Sequence, residues 1–367
     1  MLRLLVSAGG TGGGVYPALA VVAALGARAE VLWVGSEGGM EASLVKRANI
    51  ALESIPAAGV HGVGARRLPM NLLQLAQGFR ASRRIIRRYR PGVILLTGGY
   101  VGVPMALASG RTPKVVYVPD IEPGLALRLA SRMADVVAVT AEESRRYFPP
   151  QKRVRVTGYP TRPDLRTTNR AEARRSLGLA VDEPVLLAFG GSRGARSINH
   201  AIWDKLPDYL ERAQLVHIIG ELDWPKVAPI EARLGESQKR RYRPFAYLHD
   251  EMGAAMASAD LAVARAGAST LGELPLFGLP SVLVPYPHAW RYQKVNAEYL
   301  ESHGAAMVVA DASLGAALLP TVSGLLADPA RLKEMAEAAR RLARPDAAQA
   351  IAHEVEMLGE GRGATDD

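Results

Sequence analysis

The sequence predicts an α/β fold, doubly wound, in two Rossmann-like domains. Three observations carry this. Short, wholly apolar runs alternate with longer amphipathic stretches, two of those runs pass into similar glycine-rich turns, and the 367 residues suffice for two cores. Domains of about 100–200 residues are the usual size, so one hydrophobic core would not organise this length.

In the first half, Leu2–Ser7, Val31–Gly35, Val93–Thr97, Val115–Val118 and Val136–Val139 read as strands. In the second half, Val185–Phe189, Leu215–Ile219, Leu261–Ala264 and Ser281–Val284 do so. They are apolar throughout rather than alternating, which is the pattern of parallel strands covered by helices on both faces. Leu4-Leu5-Val6-Ser7-Ala8-Gly9-Gly10-Thr11-Gly12 and Leu186-Leu187-Ala188-Phe189-Gly190-Gly191-Ser192-Arg193-Gly194 are both strand, glycine turn and helix. The second domain therefore opens as the first does. Prolines and a glycine break the periodicity at Gly158-Tyr159-Pro160-Thr161-Arg162-Pro163, which divides the chain into domains 1–160 and 161–345. A last helix, about 346–358, could return to the first domain, and the residues after Gly359 read as a disordered tail.

Composition narrows the class. There is no cysteine, which removes disulfides, thiolate metal sites and cysteine nucleophiles and fits a cytoplasmic protein. No apolar run reaches the roughly 18 residues that a spanning helix needs. The opening Met1–Val6 runs straight into glycines, so it reads as a strand rather than a signal peptide. The net charge of +9, with arginine far exceeding lysine, suits phosphates, nucleic acid or an anionic membrane and does not choose among them.

The chemistry-bearing segments follow strands. Gly9-Gly10-Thr11-Gly12-Gly13-Gly14 precedes a helix expected to start near Pro17; glycines let backbone N–H groups approach an anion and the helix N-terminus adds partial positive charge, so a diphosphate fits. Gly98-Gly99-Tyr100-Val101 follows the next strand, with Tyr100 either lying beneath a sugar ring or capping the core. Gly190-Gly191-Ser192-Arg193-Gly194-Ala195-Arg196, with Arg162, supplies charge-assisted donors for a nucleotide diphosphate. In Arg265-Ala266-Gly267-Ala268-Ser269-Thr270-Leu271-Gly272-Glu273 small residues open a helix whose N–H groups could meet phosphate oxygens. Glu273 lies a turn further on, and its two acceptor oxygens suit the paired hydroxyls of a ribose. Gln293 begins the next helix, where an amide can serve sugar hydroxyls, while His288 is either catalytic or orders its loop through a hydrogen bond.

Taken in order, Gly9-Gly10-Thr11-Gly12-Gly13 with Pro17-Ala18-Leu19, Gly98-Gly99-Tyr100-Val101, Gly190-Gly191-Ser192 with Gly194-Ala195-Arg196, Arg265–Glu273 with Gly278-Leu279-Pro280, and Gln293 with Asn296-Ala297 resemble the successive motifs of the MurG family. The resemblance spans nearly the whole chain. It implies the GT-B fold, with two Rossmann-like domains facing across a cleft, and no cofactor or essential metal. It further implies inverting transfer of N-acetylglucosamine from UDP-N-acetylglucosamine to the lipid-linked pyrophosphoryl acceptor lipid I, forming lipid II for the cell wall. By the same resemblance, Thr11, Gly12 and Gly13 line the site near the donor sugar and the acceptor diphosphate. Arg162, Ser192, the backbone at Leu248, Ala268, Ser269, Thr270, Leu271, Gly272, Glu273 and Gln293 hold the UDP-sugar. Three departures are plain: the histidine that ends the family's glycine loop is Gly14 here, the family's His-Glu-x-Asn-like run is Tyr117-Val118-Pro119-Asp120, and one of a glutamine pair is Tyr292.

Inverting transfer needs a base for the acceptor hydroxyl. Asp120 and Glu122 are the candidate catalytic carboxylates, because they follow a strand end; the competing role for both is capping the helix near Gly124. The same pair could be taken for a metal-binding Asp-x-Asp motif, against which the duplicated glycine-loop domain argues. Alternative readings are a GT-B enzyme with another lipid acceptor, a UDP-N-acetylglucosamine 2-epimerase, and a basic nucleic-acid-binding protein. The last finds no accompanying helix-turn-helix, zinc or RNP signature. Finally, Leu68 to Phe79 carries apolar residues at helical spacing, followed by Arg80, Arg83, Arg84, Arg87, Arg88 and Arg90. Such a stripe beside guanidinium groups is the composition of an interfacial helix on the anionic, cytoplasmic face of a membrane. The competing reading packs the stripe on the sheet.

Overall fold

The computed structural model describes residues 1–9, 12–57, 68–162, 165, 169–191, 194–249, 251–288 and 291–363. The chain divides into two compact units, Met1–Arg162 with Arg344–Asp367, and Pro163–Ala343.

The first unit holds β1 (Leu2–Ala8), β2 (Ala29–Ser36), β3 (Ala51–Ile55), β4 (Val93–Gly98), β5 (Lys114–Val118), β6 (Val136–Val139) and β7 (Val154–Val156). All pairings are parallel, in the order β3-β2-β1-β4-β5-β6-β7. The second holds β8 (Val185–Phe189), β9 (Gln214–Ile218), β10 (Tyr242–Phe245), β11 (Leu261–Ala264), β12 (Ser281–Leu283) and β13 (Ala306–Val308), in the parallel order β10-β9-β8-β11-β12-β13. In each sheet the strand order reverses between two central neighbours, β1 and β4 in the first and β8 and β11 in the second. Open α/β sheets bind ligands beyond the carboxyl ends of the strands at such a reversal. Each of the four strands there is followed by one of the glycine- or small-residue-rich segments singled out above.

Each sheet is apolar inside and covered by helices. Ile94, Leu96, Val116, Val118 and Val137 pack with Ile85, Met105 and Leu127 in the first unit, and Leu186, Ala188, Leu215, Val263 and Val282 with Ile198, Ile202, Leu318 and Val322 in the second.

Several local expectations are corrected. The helix after β1 runs Gly12–Leu25 with Pro17 inside it, so Gly12, Gly13 and Gly14 form its first turn rather than a loop ahead of it. Pro17 lies beyond the first turn, so it forgoes the intrahelical bond that its position would otherwise make to the Gly13 carbonyl. The end of the chain is not a tail from Gly359, because a helix continues from Ala347 to Gly363; residues 364–367 lie outside the described set. That helix packs on the Gly12–Leu25 helix and on β1, β4 and β5. Its Glu354 takes Arg153 at 2.7 Å and Arg155 at 3.0 Å. Among the described residues, no helix is long and apolar enough to cross a membrane.

Candidate active site

In the first unit the turns after β1 and β4 meet backbone to backbone. Gly99 has φ of +81°, and a Cβ there would strike the Gly9 carbonyl. Only glycine satisfies both demands. Gly14 is pinned in the same way, since a Cβ at this position would lie 2.9 Å from the Thr97 carbonyl oxygen while the Thr97 hydroxyl donates to the Gly14 carbonyl at 2.6 Å. A side chain where the family has histidine would therefore push the end of β4 away from the helix. Thr11 lies outside the described residues; Gly12 and Gly13 open the helix, half-buried. Tyr100 is 54% exposed and does not cap the core. Arg162 falls within this first unit, its guanidinium 5.2 Å from the Tyr16 ring on the glycine-opened helix.

A residue beneath this turn escaped the sequence reading. Glu41 is 1% exposed, and its Oε1 accepts from the Ser36 N–H at 2.6 Å and the Ser36 hydroxyl at 2.7 Å. Side chains at Gly9, Gly35 or Gly39 would run into its carboxylate. A buried acid surrounded by three glycines braces the β1 turn from below. The signal was the Gly35-Ser36-Glu37-Gly38-Gly39-Met40-Glu41 run, glycine-rich directly after a strand.

Beyond β5, the Thr140 hydroxyl donates to the Pro119 carbonyl at 2.8 Å and receives the Tyr117 hydroxyl at 2.8 Å. Burial pushes the Tyr117 hydroxyl well above its ordinary pKa, so it remains a donor and holds the strand end. Asp120 follows, partly exposed. Glu122 is instead 7% exposed and bonded to Arg128 at 3.0 Å, one turn into the helix Leu125–Met133, and that guanidinium also lies 5.5 Å from the Tyr147 ring. The two carboxylates thus have different surroundings.

In the second unit Gly191 and Gly194 bridge across the β8 turn, with the Gly194 N–H donating to Gly191 at 2.8 Å. Gly194, with φ of +78°, lies directly against the Ile219 carbonyl. Ser192 lies outside the described residues. After β11, Arg265 is engaged in holding the framework: it meets Asp311 at 2.5 Å, the Ser197 hydroxyl at 2.7 Å and the Val284 carbonyl at 3.1 Å. The helix Thr270–Phe277 begins tightly, because the N–H groups of Thr270, Leu271 and Gly272 already meet the carbonyls of Gly267, Ala268 and Ser269. A phosphate oxygen would share those donors with the turn. Glu273, 8% exposed, is the fourth residue of that helix.

Gln293 Oε1 accepts from the Tyr286 N–H at 2.9 Å, which leaves its amide hydrogens as donors. One turn on, Asn296 donates to the Ala266 carbonyl at 3.1 Å and so ties the helix Tyr292–Ser302 to the segment leading into Ala268–Glu273. Leu248 is buried past the end of β10. His288 is exposed, with its ring edge-on to Tyr286 at 5.4 Å where a loop-ordering hydrogen bond was expected. Among the described residues, no cluster of three or more His, Asp or Glu could hold a metal.

Two doubly wound parallel sheets with glycine-rich turns at both strand-order reversals define the two-Rossmann, GT-B class of glycosyltransferase. Residues 4–139 match the glycosyltransferase family 28 N-terminal domain and residues 185–351 its C-terminal domain. The chain belongs to glycosyltransferase family 28. A Roseiflexus protein named UDP-N-acetylglucosamine--N-acetylmuramyl-(pentapeptide) pyrophosphoryl-undecaprenol N-acetylglucosamine transferase is 42% identical over 97% of this chain and 95% of its own. Among solved structures, Acinetobacter baumannii MurG superposes with a TM-score of 0.76 at 28% identity, covering 97% of this chain and all of that one. A Neisseria meningitidis UDP-GlcNAc 2-epimerase bound to UDP-GlcNAc reaches 0.66 at 14% identity over 96% of this chain and 99% of its own, a likeness of fold alone.

Proposed function

We propose that this protein transfers N-acetylglucosamine from UDP-N-acetylglucosamine to the muramyl hydroxyl of lipid I, giving lipid II with inversion at the sugar carbon. The observation that carries the reading is the placement of four of the five motif segments at the strand-order reversals of the two sheets, together with full-length kinship to transferases of that name. Leu248, the Ala268–Glu273 segment, Gln293, Ser192 and Arg162 hold the donor; Thr11, Gly12, Gly13 and Tyr100 serve the sugar and acceptor diphosphate. In the reaction the acceptor oxygen attacks the sugar carbon as its proton passes to Asp120. The bond to UDP breaks, and UDP leaves with the electron pair. Arginines and helix N-termini take up the leaving charge.

Released UDP, measured over a panel of donors and acceptors with and without EDTA, tests this. UDP release is expected only when UDP-N-acetylglucosamine and lipid I are both present, and undiminished by the chelator. Turnover of the donor without acceptor would identify an epimerase instead. Loss in EDTA restored by Mn²⁺ would place the reaction in a metal-dependent class, and a different productive lipid would replace lipid I.

The first unit docks on the cytoplasmic face of the membrane through the helix Leu68–Tyr89. Both sequence readings of that helix have support in different halves. Gly78, Ser82, Ile85 and Tyr89 are buried, whereas Met70, Leu72 and Leu73 are each more than half exposed and Arg80, Arg83, Arg84, Arg87 and Arg88 lie outward. Each basic residue near an anionic surface contributes about 1 kcal/mol at best, so the set suffices for reversible binding. Co-sedimentation with anionic vesicles at low salt is expected, falling at higher salt and with neutral lipid. Binding unchanged in the fourfold Arg83, Arg84, Arg87 and Arg88 to glutamine variant would remove the helix as the anchor.

A further inference from the structure

A buried polar chain in the second unit runs beneath the helix Arg196–Trp203, which leaves the β8 turn. Trp203 Nε1 lies 3.0 Å from the Tyr242 hydroxyl, that hydroxyl 3.2 Å from His217 Nδ1, and His217 Nε2 3.1 Å from Asn199 Oδ1. Asn199 Nδ2 then reaches the Ile219 carbonyl at 2.9 Å and Asp223 Oδ2 at 3.1 Å. Asn199, His217, Tyr242 and Asp223 are all nearly inaccessible.

With the buried imidazole neutral, the chemistry of the two ends fixes the direction of every bond between them. An indole N–H only donates and an amide oxygen only accepts. Tyr242 therefore receives from Trp203 and gives its own proton to His217 Nδ1, which leaves the imidazole proton on Nε2 for Asn199. That arrangement requires a neutral ring, and burial drives the His217 pKa down to about 3. The chain is polarised toward a carboxylate. Asp223 uses its other oxygen to take Lys226 at 2.7 Å, with Arg196 Nε at 3.6 Å. Arg196 is the first residue of the helix, and its side chain is largely exposed. The Ile219 carbonyl held by Asn199 is the group against which Gly194 rests, so the same chain supports both the turn and the arginine beside it.

We propose that Asp223 is a positioning residue for the diphosphate end of the nucleotide: fixed by the Trp203-Tyr242-His217-Asn199 chain, it holds the Arg196 guanidinium at the start of the helix that follows Gly194. The inference rests on the reading that this unit takes UDP-N-acetylglucosamine. Its distinctive consequence is selectivity. A group that positions a cation for phosphate changes the affinity for UDP and leaves that for uridine alone, whereas a merely structural role weakens both.

Calorimetry with uridine, UMP and UDP on the full-length wild type and Asp223→Asn tests it, because asparagine keeps its one acceptor oxygen for Asn199 and puts an uncharged NH2 donor where Lys226 and Arg196 met a carboxylate oxygen. UDP is expected to weaken about tenfold, in keeping with loss of a charge-assisted contact, with uridine unchanged. Long-range ¹H–¹⁵N spectra of histidine-labelled protein should place the His217 proton on Nε2 in the wild type. Tyr242→Phe, which removes the proton donated to Nδ1, should shift that tautomer balance and weaken UDP more than uridine. Unaltered UDP affinity in Asp223→Asn, equal weakening of uridine and UDP, or a wild-type proton on Nδ1 would each overturn the inference while leaving the donor assignment standing. A wild type that binds none of the three ligands would overturn the donor assignment, and this inference with it.

Discussion

Asp120→Asn should lower turnover by about a hundredfold or more while UDP-N-acetylglucosamine still binds, the usual scale of a lost general base. A hundredfold corresponds to about 2.7 kcal/mol of transition-state stabilisation. The argument starts from what stands where the family has its histidines. Gly14 has no side chain to act as a base, and one added there would displace the end of β4, because the Thr97 carbonyl oxygen lies 2.9 Å from where its Cβ would stand. Tyr117 is fully buried, and its hydroxyl is engaged with Thr140. Neither position offers a proton acceptor near neutral pH. Glu122 is clasped by Arg128, so its carboxylate is bound to a structural partner. Asp120 is the partly exposed carboxylate on that strand end, held in place by the Tyr117-Thr140-Pro119 bonds. Steady-state kinetics with lipid I, beside calorimetry for donor binding, separates the two effects. Turnover near wild type in Asp120→Asn would eliminate it as the base. Glu122→Gln supplies the contrast: loss of the buried end of an ion pair should appear as a lower melting temperature.

What the sequence made legible follows from one physical rule and fails where that rule does not reach. A strand buried on both faces is apolar at most positions, with exceptions such as Thr97 and His217, and the nine runs read from the sequence are the interior strands of the two sheets. The four strands not foreseen, β3, β7, β10 and β13, are the four sheet edges. An edge strand has a neighbour on one side only and is free to carry Glu53, Arg155, Arg243 or Pro244. Motif segments were visible because close backbone approach restricts them to glycine and other small residues. Glu41, Asp223 and His217 were not visible, since a lone acid or histidine acquires its role from partners that only the fold assembles. The same limit applies to the Thr270 helix, whose sequence announces an anion site while its first N–H groups turn out to close onto Gly267, Ala268 and Ser269.

On the proposed donor reading, that tight start leaves the ribose, and with it Glu273, as the larger test of this segment. Glu273→Ala should weaken UDP by about 1–3 kcal/mol, roughly five- to 150-fold in Kd, because a charged acceptor for hydroxyl groups is lost. The carboxylate is 8% exposed on the fourth residue of its helix, close enough to the N-terminus for the helix dipole to favour its charge. Its two oxygens can each take one hydroxyl of the cis-diol. A buried glutamate also packs, so weaker binding alone would not separate recognition from damage to the helix. Comparing UDP with 2′,3′-dideoxy-UDP does. The wild type should lose affinity when the hydroxyls are removed, while Glu273→Ala should bind both nucleotides equally weakly, and Glu273→Gln, which keeps one acceptor oxygen, should fall between. If Glu273→Ala bound UDP as the wild type does, or still discriminated between the two nucleotides by the full wild-type ratio, the ribose would have another partner and Glu273 would leave the site.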